Sequence, residues 1–223
     1  MESLSVYQQI LQNIASAERR AGRSDHATLI AVSKFQTVEK LVALYLEGQR
    51  IFGENYVQEL IEKKISLEAQ GYPDFEFHFI GHLQSNKVKQ LLPHLQTIHS
   101  VDSLKLVREI EKQASQLKKE IRIFFQVNLD EEASKGGFAP AELDLLVEQT
   151  AQLQWVKRAG WMTIPDPDKN PGTAFIKLKS IAIKYQNHVN PGLSMGMSQD
   201  YELAIENGST FVRVGSALFG KRG

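Results

Sequence analysis

Short apolar runs of β-type composition recur along this chain, and each is separated from the next by a stretch with helical periodicity. The runs are 29–34, 50–54, 75–81, 97–101, 121–129, 156–163, 193–197 and 211–215. Between them, Val38, Leu41, Val42 and Tyr45, then Leu106, Ile110, Ala114 and Leu117, then Leu143, Leu146, Val147 and Thr150, and then Ala174, Leu178, Ile181 and Tyr185 fall at the spacing that gathers apolar side chains on one helix face. Parallel strands need a long crossover between them, so strict β/α alternation predicts a parallel sheet covered by helices. Eight such runs is the number that closes a (β/α)8 TIM barrel, and that α/β fold is expected here. An opening amphipathic segment with Leu4, Tyr7, Leu11 and Ile14 adds an extra N-terminal helix.

At 223 residues the chain is slightly below the roughly 250 typical of such barrels, which implies short loops and a single domain over residues 1–223. The densest breaker region, 165–172, is short enough to be one loop. An open doubly wound sheet is the alternative, but no Gly-x-Gly-x-x-Gly follows the first run. Lysine plus arginine and aspartate plus glutamate both number 26, so no field of one sign draws in nucleic acid or an anionic membrane. Any bound anion must be held by a local site. There is no cysteine, which excludes disulfides, thiolate metal ligands and a cysteine nucleophile. No apolar stretch approaches the roughly 18 residues of a membrane span, and no basic-then-apolar leader opens the chain. A soluble cytoplasmic protein without metal is expected, and a monomer for want of a second domain.

Lys34 closes the first run, where α/β proteins hold their ligands, and strand alternation puts it in phase with Val32 and Ile30 on a packed face. An amine there is costly unless it is used or paired; otherwise it simply leaves the strand for water. The runs at 193–197 and 211–215 end in phosphate-type segments. Ser198 is placed to cap a helix running through Tyr201, Ala204 and Ile205 to Gly208, while Gly215 permits close backbone approach and Ser216 adds a hydroxyl. Arg213 is in phase with Gly215, so it either faces the lumen or points outward to a helix carboxylate. A lysine, an arginine and a phosphate cradle on one rim suggest pyridoxal 5'-phosphate (PLP), with Lys34 as the Schiff-base amine and Arg213 facing the pyridine nitrogen.

The segments 31–34, 52–59, 78–87, 194–198 and 213–216 together resemble the pyridoxal phosphate homeostasis family, in order and over nearly the whole chain. The resemblance implies a fold-type III PLP barrel similar to the N-terminal domain of alanine racemase, with the cofactor lysine at Lys34. It implies phosphate contacts at Ser198, Gly215 and Ser216 with Met197 beside them, the pyridine-facing arginine at Arg213, and Asn55 as a pocket residue. It also implies a second lysine in the loop after the fifth strand, Lys135, either a relay amine that competes with Lys34 or a solvated neighbour of Glu131 and Glu132. His82 receives no role, and His78 is expected to be a hydrogen-bonded core histidine.

A permanently charged donor opposite the pyridine nitrogen keeps it unprotonated and weakens the ring as an electron sink. Racemisation also needs a second acid or base, for which only Tyr56 and Lys135 are local candidates. The expectation is therefore a protein that holds and hands over PLP, with apo-enzymes as recipients, acting in vitamin B6 and amino-acid/keto-acid homeostasis and having no catalytic residue. The rivals are a PLP-dependent amino-acid racemase and, more distantly, a class I aldolase-type barrel.

Overall fold

The computed structural model describes residues 4–130 and 136–220. Its strands β1 (Thr28–Val32), β2 (Ile51–Glu54), β3 (Glu76–Phe79), β4 (Thr97–Val101), β5 (Ile121–Gln126), β6 (Val156–Met162), β7 (Gly192–Met197) and β8 (Phe211–Val214) form one closed barrel in sequence order. Every neighbouring pair is parallel, including the seam between β1 and β8. Eight runs were expected and eight strands are present, but most stop one to three residues short of the apolar run. The overrun residues carry on into the loops at the C-terminal face. Lys34 is one of them: β1 ends at Val32, and Lys34 sits half-buried in a turn closed by the Gln36 amide on the Ser33 carbonyl (2.9 Å). The expectation of a lysine within the strand is corrected accordingly.

Helix α1 (Val6–Arg20) precedes the barrel, and α2 (Val38–Leu46), α3 (Val57–Ala69), α4 (Val88–Leu91), α5 (Leu104–Leu117), α6 (Leu143–Gln149), α7 (Pro171–Lys184), α8 (Tyr201–Glu206) and α9 (Ser216–Phe219) follow the eight strands in turn. Local chemistry sets their starts. Ser5 and Gln8 form a reciprocal capping box for α1, Ser103 accepts the Leu106 amide at α5, and Asn170 caps α7 ahead of Pro171 in the first turn. α1 buries Tyr7, Ile10, Ile14 and Ala17, whereas Leu4 and Leu11 of the expected stripe stay exposed. It docks on α8, with Asn13 donating to the Tyr201 hydroxyl (3.0 Å) and Arg20 reaching both Glu202 and Glu206. Among the described residues no helix is long and apolar enough to cross a membrane.

Two cores result from strand alternation. Leu29, Ala31, Phe52, Phe77, Phe125, Trp161 and Val212 join the helix residues in one outer cluster, while buried Ile30, Phe124 and Met162, of the opposite phase, stand apart from it in the lumen. The lumen floor is polar and aromatic. His99 stacks on Phe124 (centroids 4.4 Å apart, 5° between planes), and both rings meet Phe211 edge-on. His78 shares a proton with His99 (Nδ1 to Nε2, 2.9 Å) and donates from Nε2 to Glu76 (3.0 Å), which Arg122 also holds. His78 is thus a hydrogen-bonded core histidine. With Glu76 accepting the His78 Nε2 proton, a pair of neutral rings fits this network with His78 Nδ1 accepting and His99 Nε2 donating.

Burial pushes the basicity of His78 down and that of His99 far down. Both histidines bind protons more readily in the unfolded chain than in the folded one. Their stabilising contribution is therefore complete above the ordinary histidine pKa of about 6.5 and is lost as pH falls below it. The melting temperature should drop as pH is lowered from about 7.5 to about 5.5, and replacing His78 and His99 together by glutamine should flatten that slope in calorimetry.

Candidate functional site

At the C-terminal face of the barrel, the ends of β1, β2, β7 and β8 and the loop after β6 enclose a cavity of about 700 Å3. Lys34, Asn55, Met197, Ser198, Arg213, Gly215 and Ser216 all line it, so barrel closure brings every residue predicted for the site, apart from Lys135, into one space. Lys135 lies outside the described residues. His82 does not line the cavity; it is largely exposed and pairs with Asp102 (3.1 Å). Among the described residues no group of three or more metal-ligating side chains is present.

Arg213 faces the lumen, which decides between its two sequence-compatible orientations. It is 5% exposed, and its guanidinium donates to the Ser194 hydroxyl (2.7 Å) and the Thr163 carbonyl (3.0 Å). Burial pushes its pKa down to about 10, so it remains a fixed cation at neutral pH. Sequence reasoning did not single out Ser194 or Thr163 as its partners. The signal lay in strand phase, because Ser194 pairs across the β7–β8 seam with Phe211, two residues before Arg213.

The two phosphate-type loops are built differently from expectation. A register shift between Ser194 and Met197 and a left-handed Gly196 (φ +92°) turn the chain toward the rim, and a Cβ at Gly196 would come within 2.5 Å of Ala204. Ser198 is not the cap of α8, whose N-cap position is Asp200. Instead its Oγ accepts the Gly215 amide (3.1 Å) and the Ala217 amide (3.4 Å), across the seam at the start of α9. Helix-start amides unused by the backbone are the donors an anion takes, and here a hydroxyl on the neighbouring loop holds them in place. Asp200 Oδ1 accepts the Met197 amide (2.6 Å), which anchors the carboxylate that would otherwise repel an anion.

Asn55 follows β2, and its buried Oδ1 has no hydrogen-bond partner among the described residues. An orphaned acceptor in a cavity wall fits a hydroxyl-bearing ligand. Its backbone is set by Gly81, where a Cβ would stand 2.2 Å from the Asn55 carbonyl oxygen. Val32, Ile80, Ile164 and Pro165 supply an apolar lining, and Gln36, Asp166 and Lys169 add polar groups that the sequence did not single out.

The family described as alanine racemase, N-terminal domain, matches residues 7–223. The chain is 42% identical over 220 residues to the pyridoxal phosphate homeostasis protein of Aquifex aeolicus, covering 96% of this chain and 95% of that one. It is 37% identical over 221 residues to the protein of the same description from Escherichia coli K12, covering 96% and 94%. Among solved structures it superposes on PipY of Synechococcus elongatus with PLP bound, at a TM-score of 0.83, 36% identity, and 95% and 100% coverage of the two chains. The alanine racemase of Corynebacterium glutamicum, 16% identical at a TM-score of 0.67, covers 97% of this chain and 61% of its own, a likeness of fold.

The close approach at Gly81 is directly testable. Gly81→Ala should destabilise the protein by about 1–3 kcal/mol or more, because backbone on both sides of the contact must move. Urea unfolding with an unchanged m-value and a lower midpoint is the expected result.

Proposed function

This chain belongs to the alanine racemase N-terminal domain family and, within it, to the pyridoxal phosphate homeostasis proteins, and on that premise we propose that it binds PLP in the cavity at the C-terminal face, carries it reversibly on Lys34 as a Schiff base, and acts in vitamin B6 and amino-acid/keto-acid homeostasis without robust catalysis. One observation carries the reading: a lysine amine, a buried arginine and a set of helix-start amides line the same cavity. Its volume of about 700 Å3 lies in the usual range for cofactor sites.

The cofactor supplies an aldehyde carbon, a phosphate and a pyridine ring. Lys34 would hold the aldehyde carbon through its amine, a reversible condensation that would release one water and be undone by water or a competing amine. The Ser198 hydroxyl, which accepts the Gly215 and Ala217 amides, and the Ser216 hydroxyl would face the phosphate, with Gly215 permitting its close approach and Met197 beside it. Asn55 accepts through its orphaned Oδ1. Arg213, held by Ser194 and Thr163, keeps its proton, so it would donate toward the pyridine nitrogen and would leave that nitrogen unprotonated.

That arrangement favours holding over carbanion chemistry, because an unprotonated ring draws electrons weakly. Tyr56 is half-exposed, packs against Phe35 (centroids 5.2 Å) and does not line the cavity, so it offers little as a second proton-transfer group. Apo-enzymes that require PLP are the proposed recipients, served by a monomer. A PLP-dependent racemase is the competing reading, and Lys135 as a relay amine remains part of the proposal.

Borohydride reduction of the PLP-treated protein followed by peptide mass spectrometry should place a pyridoxyl group on Lys34, and Lys34→Ala should abolish that adduct at this peptide. Loss of α-deuterium from a panel of amino acids should stay near the rate of free PLP; robust turnover that depends on Lys34 would replace this reading with the racemase.

A further inference from the structure

Lys63 lies on the buried face of α3 with Leu60 and Leu67, is 6% exposed and does not line the cavity. Its Nζ donates to three oxygens: the Ser33 carbonyl (2.6 Å), Glu54 Oε1 (2.7 Å) and Glu59 Oε1 (2.7 Å). An ammonium has three protons, and all are committed. The same two carboxylates reach back to the lysine-bearing turn. Glu59 Oε1 accepts the Phe35 amide (2.6 Å), and Glu54 Oε1 accepts the Ser33 hydroxyl (2.6 Å). The peptide groups on either side of Lys34 are therefore fastened to one ion-pair cluster.

The turn needs such fastening. Phe35 has φ +63°, a left-handed conformation that costs a bulky residue of order 1–3 kcal/mol, and its ring is 58% exposed at the rim. The ring packs against Tyr56, while the hydrogen bonds at residues 33 and 35 hold the backbone itself. Stability is a poor reason for the cluster itself, because a buried ion pair seldom outperforms apolar residues of similar volume. Glu54 is fully buried, its Oε2 has no partner among the described residues, and burial pushes its acidity down.

We propose that Lys63 is a positioning residue for Lys34: clamped between Glu54 and Glu59, it holds the Ser33–Phe35 turn in its left-handed form and so aims the Lys34 amine into the cavity. The proposal rests on Lys34 being the cofactor-bearing amine. Lys63 makes no contact with the cofactor and acts wholly through the backbone.

Removing Lys63 alone would strand a buried carboxylate, so the test uses Glu54→Gln with Lys63→Met, which deletes the charge pair together, and separately Glu59→Gln, which leaves the Glu54–Lys63 pair intact. Three readouts are taken against the wild type. They are hydrogen exchange at the Phe35 amide in cofactor-free protein, competitive acetic anhydride labelling of Lys34 as a function of pH, and the rate at which added PLP develops its protein-bound absorbance. The double variant should keep a cooperative melt, exchange Phe35 roughly tenfold faster or more, and capture PLP roughly tenfold more slowly. Its Lys34 labelling profile should move toward that of an exposed lysine. Glu59→Gln, which retains an acceptor for Phe35, should fall between the two.

A folded double variant with wild-type exchange and capture would overturn the proposal; if that variant does not fold, wild-type exchange and capture in Glu59→Gln overturn it. Should the wild type itself form no adduct on Lys34, the cofactor reading fails, while exchange and labelling still report on the turn.

Discussion

The seam between β1 and β8 is the constraint on which the site depends. Thr28, Leu29, Ile30 and Ala31 pair in parallel with Phe211, Val212, Arg213 and Val214, so the two ends of the chain meet as neighbours. Parallel pairing sends both strands out at the same face, which sets residue 34 beside residues 215 and 216 although some 180 positions separate them. A hairpin could not do this, and an open sheet would leave β1 and β8 apart. Closure therefore creates the cavity, and helices α8 and α9 then place their first turns over it.

Beneath that face the lumen is unusually polar for a space so enclosed. Arg213, Ser194, His78 and His99 are all buried, with Arg213 donating to Ser194 and the two histidines bonded to each other. Such groups are costly to bury, and two apolar residues of similar shape would pack there at least as stably. Their directional bonds fix geometry. Arg213 cannot swing while Ser194 and Thr163 hold both ends of its guanidinium, so the cavity has a stationary cation at its base and a rigid aromatic and histidine stack below it.

Periodicity was enough to read the alternation of elements, because period-2 and period-3.6 patterns are local properties of a chain. The strand ends were not legible, since residues such as Lys34 and Ile80 remain apolar or semi-buried beyond the last strand residue while they line the cavity. Ser198 shows the same limit. Its type and neighbours fit a cap for α8, but its hydroxyl goes to amides of residues 215 and 217, a choice made only when the barrel closes. In α1 the expected stripe shared Tyr7 and Ile14 with the buried one, and docking on α8 selected Ile10 and Ala17 over Leu4 and Leu11. Lys63 could have been noticed. A lysine in phase with Leu60 and Leu67 on an apolar helix face, four residues after Glu59, is a misplaced charge that has to be used.

The position of that charge separates two tasks that a loop alone would confuse. A reversible carrier needs an amine held in one place yet open to water or a competing amine, and an exposed turn offers access at the cost of order. Anchoring the turn from below, through α3, lets the rim stay open while the backbone at residues 33 and 35 is tied to buried oxygens and a buried ammonium. Half-exposure of Lys34 and burial of Lys63 and Glu54, with Glu59 partly exposed beside them, are then parts of one arrangement. A catalytic lysine of a racemase would instead gain from a second group closing over the substrate, and here the rim residues Phe35 and Tyr56 pack on one another, tilted at 45°, outside the cavity lining.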